Sequence, residues 1–200
     1  HKNDGMKDSV IKAHDKLVNR GHVVKLEDLP EDLQLDSKGG GYVIPWRPVF
    51  NAGSLTSATR MVFDASSRTP QGSSLNEILA KGQNKLGQLV HLLIRFRYGC
   101  SAFSSDVTMA YNNLKLDPEY FKFQQYLWKE DLDPAAKTIV MIVITLIYGV
   151  RPAGNLTMAG FMKIVEHAKK LDESYIPGAE ALENRSYMDD IFGAYFSADD

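Results

Sequence analysis

Residues 185–196 read RSYMDDIFGAYF, two short runs of β-forming residues on either side of an adjacent pair of carboxylates. Ser-Tyr-Met and Ile-Phe-Gly-Ala-Tyr-Phe favour extended backbone, whereas aspartate is depleted from strands and tolerates turn geometry. The stretch therefore reads as a β-hairpin with its tight turn at Asp189 and Asp190. Such a hairpin holds both acidic groups rigidly at its tip, within reach of a third carboxylate on a neighbouring strand. Asp106 is the candidate, because it closes the extended run AFSSDV (102–107) and TMAYNNLKL must turn before the next extended segment. Three clustered carboxylates repel one another and raise their own pKa values unless a cation neutralises them. Oxygen ligands without His or Cys favour Mg²⁺ or Mn²⁺, and two such ions about 3.5–4 Å apart can hold the attacking and leaving oxygens of a phosphoryl transfer. An Asp-Asp pair alone is equally at home in an exposed turn, so the rest of the chain has to decide between these readings.

The apolar run TIVMIVITLIYGV (138–150) is too short and too β-branched for a membrane-spanning helix and predicts a buried strand. Residues 155–171 predict a helix opened by Asn155, with Leu156, Ala159, Met162, Val165 and Ala168 facing inward. CSAFSSDV (100–107) and YFKFQQYLW (120–128) predict strands. Residues 75–97 predict a helix in two pieces around Gly82, with an apolar stripe of Leu86, Leu89, Leu93 and Phe96. YVIPWRPVF (42–50) is extended, since its prolines forbid helix, and RMVFDAS (60–66) is the returning strand after the small polar tip NAGSLTSAT (51–59). An N-terminal helix places Met6, Val10, Ala13 and Leu17 on one face and stops at Gly21. Residues 22–40, with acidic patches, Pro30 and a Gly-Gly-Gly run, predict a connector or flexible loop. This order predicts an α+β fold around an antiparallel sheet, divided into residues 1–40, 41–98 and 99–200, of which the last two interleave.

Composition agrees with an ordinary globular chain: 200 residues, 44% hydrophobic and 24% charged, exclude disorder. The single cysteine, Cys100, cannot form an internal disulfide and points to a reducing, intracellular setting. A net charge of −2 carries no general basic footprint, so nucleic-acid contact has to be local. The chain opens at His1 without an initiator methionine, which predicts that it is part of a longer one.

YMDD between strands is the signature that reverse transcriptases carry on their palm hairpin, and further stretches follow in that family's order. TRMVFDASSRTPQGSSLNEIL (59–79), LIRFRYGCSAFSSDVTMAYNNLKLDPE (93–119), FQQYLW (123–128) and IYGVRPAGN (147–155) resemble the reverse transcriptase of Pao/BEL-type long-terminal-repeat retrotransposons, over roughly residues 42–196. The resemblance implies the fingers and palm of a right-hand polymerase, with an antiparallel palm sheet packed on helices. Thumb and RNase H would lie beyond the ten residues that follow Asp190. It implies RNA- or DNA-templated DNA synthesis with two Mg²⁺ (or Mn²⁺) ions held by Asp106, Asp189, Asp190 and the Val107 carbonyl. Tyr111 falls where the family places an aromatic side chain that excludes a 2′-hydroxyl. Arg60 falls where an arginine stacks on the incoming base and contacts its triphosphate. Gly149 matches a glycine close to template and nucleotide, Tyr187 and Met188 lie near the primer end, and Asp64 is structural. The implied partners are a primed RNA or DNA template, dNTPs and the remaining polyprotein domains (thumb, RNase H, integrase), in a cytoplasmic retroelement particle, with no membrane and with self-association open.

Departures from the family's pattern are as specific. NAGSLTSAT offers no lysine for the terminal phosphate, which leaves Arg47 as a substitute, and Tyr148 stands where retroviral enzymes have glutamine. Two other functions remain open: a non-catalytic or decayed retroelement fragment that binds nucleic acid or a partner subunit, and a two-metal phosphohydrolase or nuclease. The latter leaves Arg60, Tyr111 and the order of the motifs unexplained.

Overall fold

A computed structural model describes residues 2–51, 53, 59–70, 72–83 and 89–196. In chain order the elements are α1 (Lys2–Asn19), β1 (Val23–Lys25), α2 (Glu31–Gly40), β2 (Trp46–Phe50), β3 (Thr59–Phe63), α3 (Leu75–Ile78), α4 (Leu89–Arg97), β4 (Ser101–Asp106), β5 (Gln125–Lys129), β6 (Thr138–Val143), α5 (Ala153–Leu171), α6 (Ile176–Asn184), β7 (Ser186–Tyr187) and β8 (Asp190–Tyr195). They build three small antiparallel sheets, ordered β1-β6-β5, β2-β3 and β4-β8-β7. The chain divides into two discontinuous units, one of residues 1–80 with 115–151 and one of 81–114 with 152–200. β6 pairs with both β1 and β5, which brings residues 115–151 into one unit with 1–80. No helix among the described residues is long and apolar enough to cross a membrane.

In the first unit the β-branched run forms β6, the central strand of its sheet, paired with β1 (Val23↔Val143) and β5 (Trp128↔Ile139). Met141, Ile142 and Val143 are buried there with Tyr126. α1 ends in a Schellman motif: Gly21, at φ 67°, donates to Val18 and His22 donates to Leu17. Residues 22–40 are not a loop. Val23–Lys25 joins the sheet edge, Pro30 caps α2, and Leu26, Leu29 and Leu33 pack around Phe121 and Ile142, so apolar spacing outweighs the two glycines at the end of α2. Residues 118–123 are a 3₁₀ turn rather than strand, because Asp117 caps it and Pro118 has no N–H to give a sheet. Two consecutive buried glutamines follow. Gln124 donates to the Val143 and Thr145 carbonyls at 2.9 and 2.7 Å, and Gln125 to those of Ser37 and Lys122, both at 3.0 Å. The tip between β2 and β3, and Leu86 of the expected stripe, lie outside the described residues apart from Asn51, Gly53 and Thr59.

In the second unit β8 is the middle strand, opposite β4 from Ser101↔Tyr195 to Asp106↔Asp190 and opposite β7 at Tyr187↔Asp190. Gly193 is required here: a Cβ would lie 1.8 Å from the ring of Phe103, which crosses it from β4. α4 packs Phe96 edge-on against Phe192 at 5.5 Å. α5 buries Ala153, Thr157, Met158, Phe161 and Val165; of the expected stripe Val165 is buried, Ala159, Met162 and Ala168 are half-buried and Leu156 is exposed. The expected positions recur every three residues and drift around a helix of 3.6 residues per turn, whereas the buried set holds one face. α6, which the sequence did not suggest, starts with Pro177 in its first turn.

Candidate active site

The hairpin turn lies one residue earlier than expected. Met188 and Asp189 form it, Met188 at φ 57°, and Asp190 is already the first residue of β8. A two-residue hairpin wants positive φ at its first turn position, and the chain puts an unbranched methionine there. Asp190 is thereby flanked on one side by Asp106 and on the other by Tyr187, and residues directly opposite across a sheet present their Cβ atoms to the same face. The turn is tied to the end of β4 by the Val107 N–H, which donates to the Asp189 carbonyl at 2.7 Å. The Val107 carbonyl accepts from Ala110 at 3.1 Å and keeps a second lone pair.

Partial desolvation raises the pKa of Asp190 above the usual carboxylate value, and the charges of Asp189 and Asp106 push it further. This is the repulsion that a cation relieves. The donors are hard oxygens at one end of the β4–β8 pair, with Asp106 and Asp190 exposed, which suits Mg²⁺ or Mn²⁺ rather than a thiolate or imidazole metal. Among the described residues, however, no three His, Cys, Asp or Glu side chains converge closely enough to hold a metal ion. The backbone register sets Asp106 opposite Asp190.

Tyr111 is 7% exposed, in a 3₁₀ turn that follows β4, and its hydroxyl donates to Met188 Sδ at 3.8 Å. Burial raises its pKa, as does the charge of Asp189. Tyr111, Tyr187, Met188, Val107 and the three aspartates thus gather in one unit. Sequence reasoning missed a second feature: Met109, at φ 54°, adopts the same left-handed backbone three residues after Asp106. Left-handed backbone costs a non-glycine residue about 1–2 kcal/mol, and two such residues flank the carboxylates.

Arg60 and Gly149 belong to the other unit. Arg60 is exposed on β3, opposite Val49. Gly149 has φ 98°, and a Cβ on it would lie 2.7 Å from the Phe63 carbonyl oxygen, so only glycine fits. Asp64 turns the chain after β3, its carboxylate accepting from the Ser66 N–H at 3.1 Å. Asn76 in α3 is the residue sequence reasoning passed over, although it stands within the quoted SLN stretch. Its amide donates to the Gly149 carbonyl at 2.7 Å and to Ser66 Oγ at 2.8 Å, and accepts from the Arg151 N–H at 2.7 Å. Its backbone N–H donates to Ala65 at 3.0 Å, and its carbonyl accepts from the Arg151 guanidinium at 3.2 Å.

No family model matches the chain, and no curated protein matches it. Solved structures do. The native protease-reverse transcriptase of prototype foamy virus matches with a TM-score of 0.62 and 14% identity, covering 96% of this chain and 20% of its own. The foamy viral protease-reverse transcriptase dRH in complex with double-stranded DNA matches with a TM-score of 0.60 and 14% identity, covering 96% and 26%. The chain therefore spans between a fifth and about a quarter of the structures it resembles. At this identity the likeness shows the fold: a mixed helix and sheet arrangement of reverse-transcriptase type.

Proposed function

We propose that the chain is the fingers and palm of a reverse transcriptase from a Pao/BEL-type retrotransposon, which transfers nucleotides from dNTPs to a primer 3′-hydroxyl on an RNA or DNA template. The observation that carries this reading is the alignment of Asp106 with Asp190 across β4 and β8, with Asp189 tied to Val107 at the turn, in a fold of reverse-transcriptase type. Asp106, Asp189 and Asp190, with the free lone pair of the Val107 carbonyl, would hold Mg²⁺ or Mn²⁺. Bound there, divalent cations supply a lowered pKa for the primer hydroxyl and neutralisation of phosphate charge.

The chain's own residues do the rest. The buried Tyr111, held against Met188, walls the space beside the carboxylates and excludes a 2′-hydroxyl by size. Arg60 offers a planar, permanently charged group to the triphosphate. Gly149 lets a nucleotide approach the backbone closely. Template and primer bind mainly through phosphates, so affinity falls with salt. The double-stranded DNA in one structural neighbour favours such a partner.

One observation favours a second reading, a decayed copy that still binds nucleic acid or a partner subunit: among the described residues no three His, Cys, Asp or Glu side chains are arranged to hold a metal ion. The test is Mg²⁺- or Mn²⁺-dependent dNTP incorporation on a primed RNA template by the chain extended through its thumb, beside its Asp189→Asn counterpart. Incorporation abolished by the substitution supports polymerisation. A folded, template-binding protein that incorporates nothing would establish the decayed copy instead.

A further inference from the structure

Asn76 stands in the first turn of α3, whose N-cap is Ser74. Its side-chain amide meets the loop after β6 at two points, donating to the Gly149 carbonyl and accepting from the Arg151 N–H, each at 2.7 Å. Those two groups bracket the buried Val150, so the carboxamide pairs with the loop as a neighbouring strand's peptide group would. The same nitrogen also donates to Ser66, and the Asn76 backbone donates to Ala65, so one residue locks the end of RMVFDAS to YGVR. No other side chain of this length carries a donor and an acceptor in one plane. Aspartate would keep the acceptor but oppose a carboxylate oxygen to the Gly149 carbonyl, and glutamine is a methylene too long. The loop so fixed displays Tyr148 and Arg151 to solvent and holds Gly149 at φ 98° against the Phe63 carbonyl.

We propose that Asn76 is a positioning residue for the Tyr148–Arg151 loop, so that nucleotide affinity, rather than turnover, depends on its amide. This rests on the polymerase reading, in which Gly149 lies beside the incoming nucleotide. The freedom of Gly149 gives the physical reason: glycine has the widest choice of backbone conformations, so the loop leaves the one at φ 98° when the bonds on either side of it are removed. The hydrogen bonds of Asn76 run to Ala65, Ser66, Gly149 and Arg151, so the proposal leaves the chemical step to its own determinants.

The experiment uses the full polymerase chain, wild type, Asn76→Asp and Asn76→Ala, with steady-state dNTP incorporation and hydrogen exchange at the Arg151 amide. The expected result is a KM for dNTP raised tenfold or more with kcat within threefold, together with faster exchange at Arg151 and unchanged exchange in β2 and β3. Should Asn76→Asp fail to fold, Asn76→Ala, which introduces no repulsion, carries the test. An unchanged KM beside active wild type overturns the positioning role. So does an equal loss of activity and of folded protein, which would make Asn76 merely structural. Wild type that keeps the Arg151 amide protected yet incorporates nothing overturns the polymerase reading and this role with it.

Discussion

Replacing Gly149 by alanine separates two costs that the structure assigns to this position. The first is conformational. At φ 98° an L-residue loses about 1–2 kcal/mol, partly offset by about 0.4–1 kcal/mol from a less flexible unfolded chain. The second is steric: the new Cβ would sit 2.7 Å from the Phe63 carbonyl oxygen, a backbone atom that cannot swing aside. Overpacking of that kind costs about 1–3 kcal/mol. Gly21→Ala is the control, since φ is 67° there and an added Cβ meets nothing within 4 Å. Both of the chain's tryptophans, Trp46 and Trp128, lie in the same unit as these glycines, with ring centroids 5.3 Å apart, so their emission reports that unit's unfolding. Denaturant titrations should show Gly149→Ala less stable than Gly21→Ala by about 1–3 kcal/mol. Equal losses in the two variants would refute the argument that the Phe63 carbonyl excludes a side chain.

Two further predictions concern buried aromatic groups of that unit. His14 is 5% exposed and stacks on Trp128 at 3.7 Å, and burial, partly opposed by Asp15, lowers its pKa. The neutral ring is therefore favoured in the folded state, so its contribution to stability is present above the unfolded value of 6.5 and is lost as pH falls through the lower folded one. Denaturant midpoints should fall between pH 7 and pH 5, and fall less in His14→Phe, with His22 leaving a residual slope because burial and Arg20 lower its pKa too. Identical slopes in the two proteins would remove His14 as the source. Tyr126 is fully buried and its hydroxyl has no hydrogen-bond partner among the described residues, so Tyr126→Phe should be neutral or stabilising by about 1 kcal/mol. A loss of that size would instead mean that the hydroxyl is bonded.

What the sequence made legible was whatever depends on a few neighbouring residues. The β-branched run 138–143 became the central strand, Gly21 ended α1 in left-handed backbone, and Asp106 came to lie beside the hairpin because two strands of the expected length pair antiparallel. What stayed hidden depends on partners distant in the chain. Leu29 and Leu33 look like loop residues until Phe121 and Ile142 are placed against them. Gln124 and Gln125 look like surface positions until the carbonyls of Val143, Thr145 and Ser37 are there to accept their protons. Asn76 belongs to the same class, since its acceptor and donor are 73 and 75 residues away.

The turn was misplaced for a different reason, and that reason bears on function. Local preference puts Asp189 and Asp190 in the turn, because aspartate accepts turn backbone and methionine resists positive φ. The chain does the opposite. Met188 takes the strained position at φ 57°, and Asp190 enters the middle strand between Asp106 and Tyr187, where partial desolvation and then two like charges raise its pKa. Both choices work against stability, and Met109 repeats the strain on the other side of the carboxylates. Under the proposed polymerase reading, this placement sets the Asp190 carboxylate opposite Asp106. Among the described residues the non-glycine positions with positive φ are Met109, Asp131, Leu132 and Met188, so this strain lies beside the carboxylates and, equally, in the turn that follows β5.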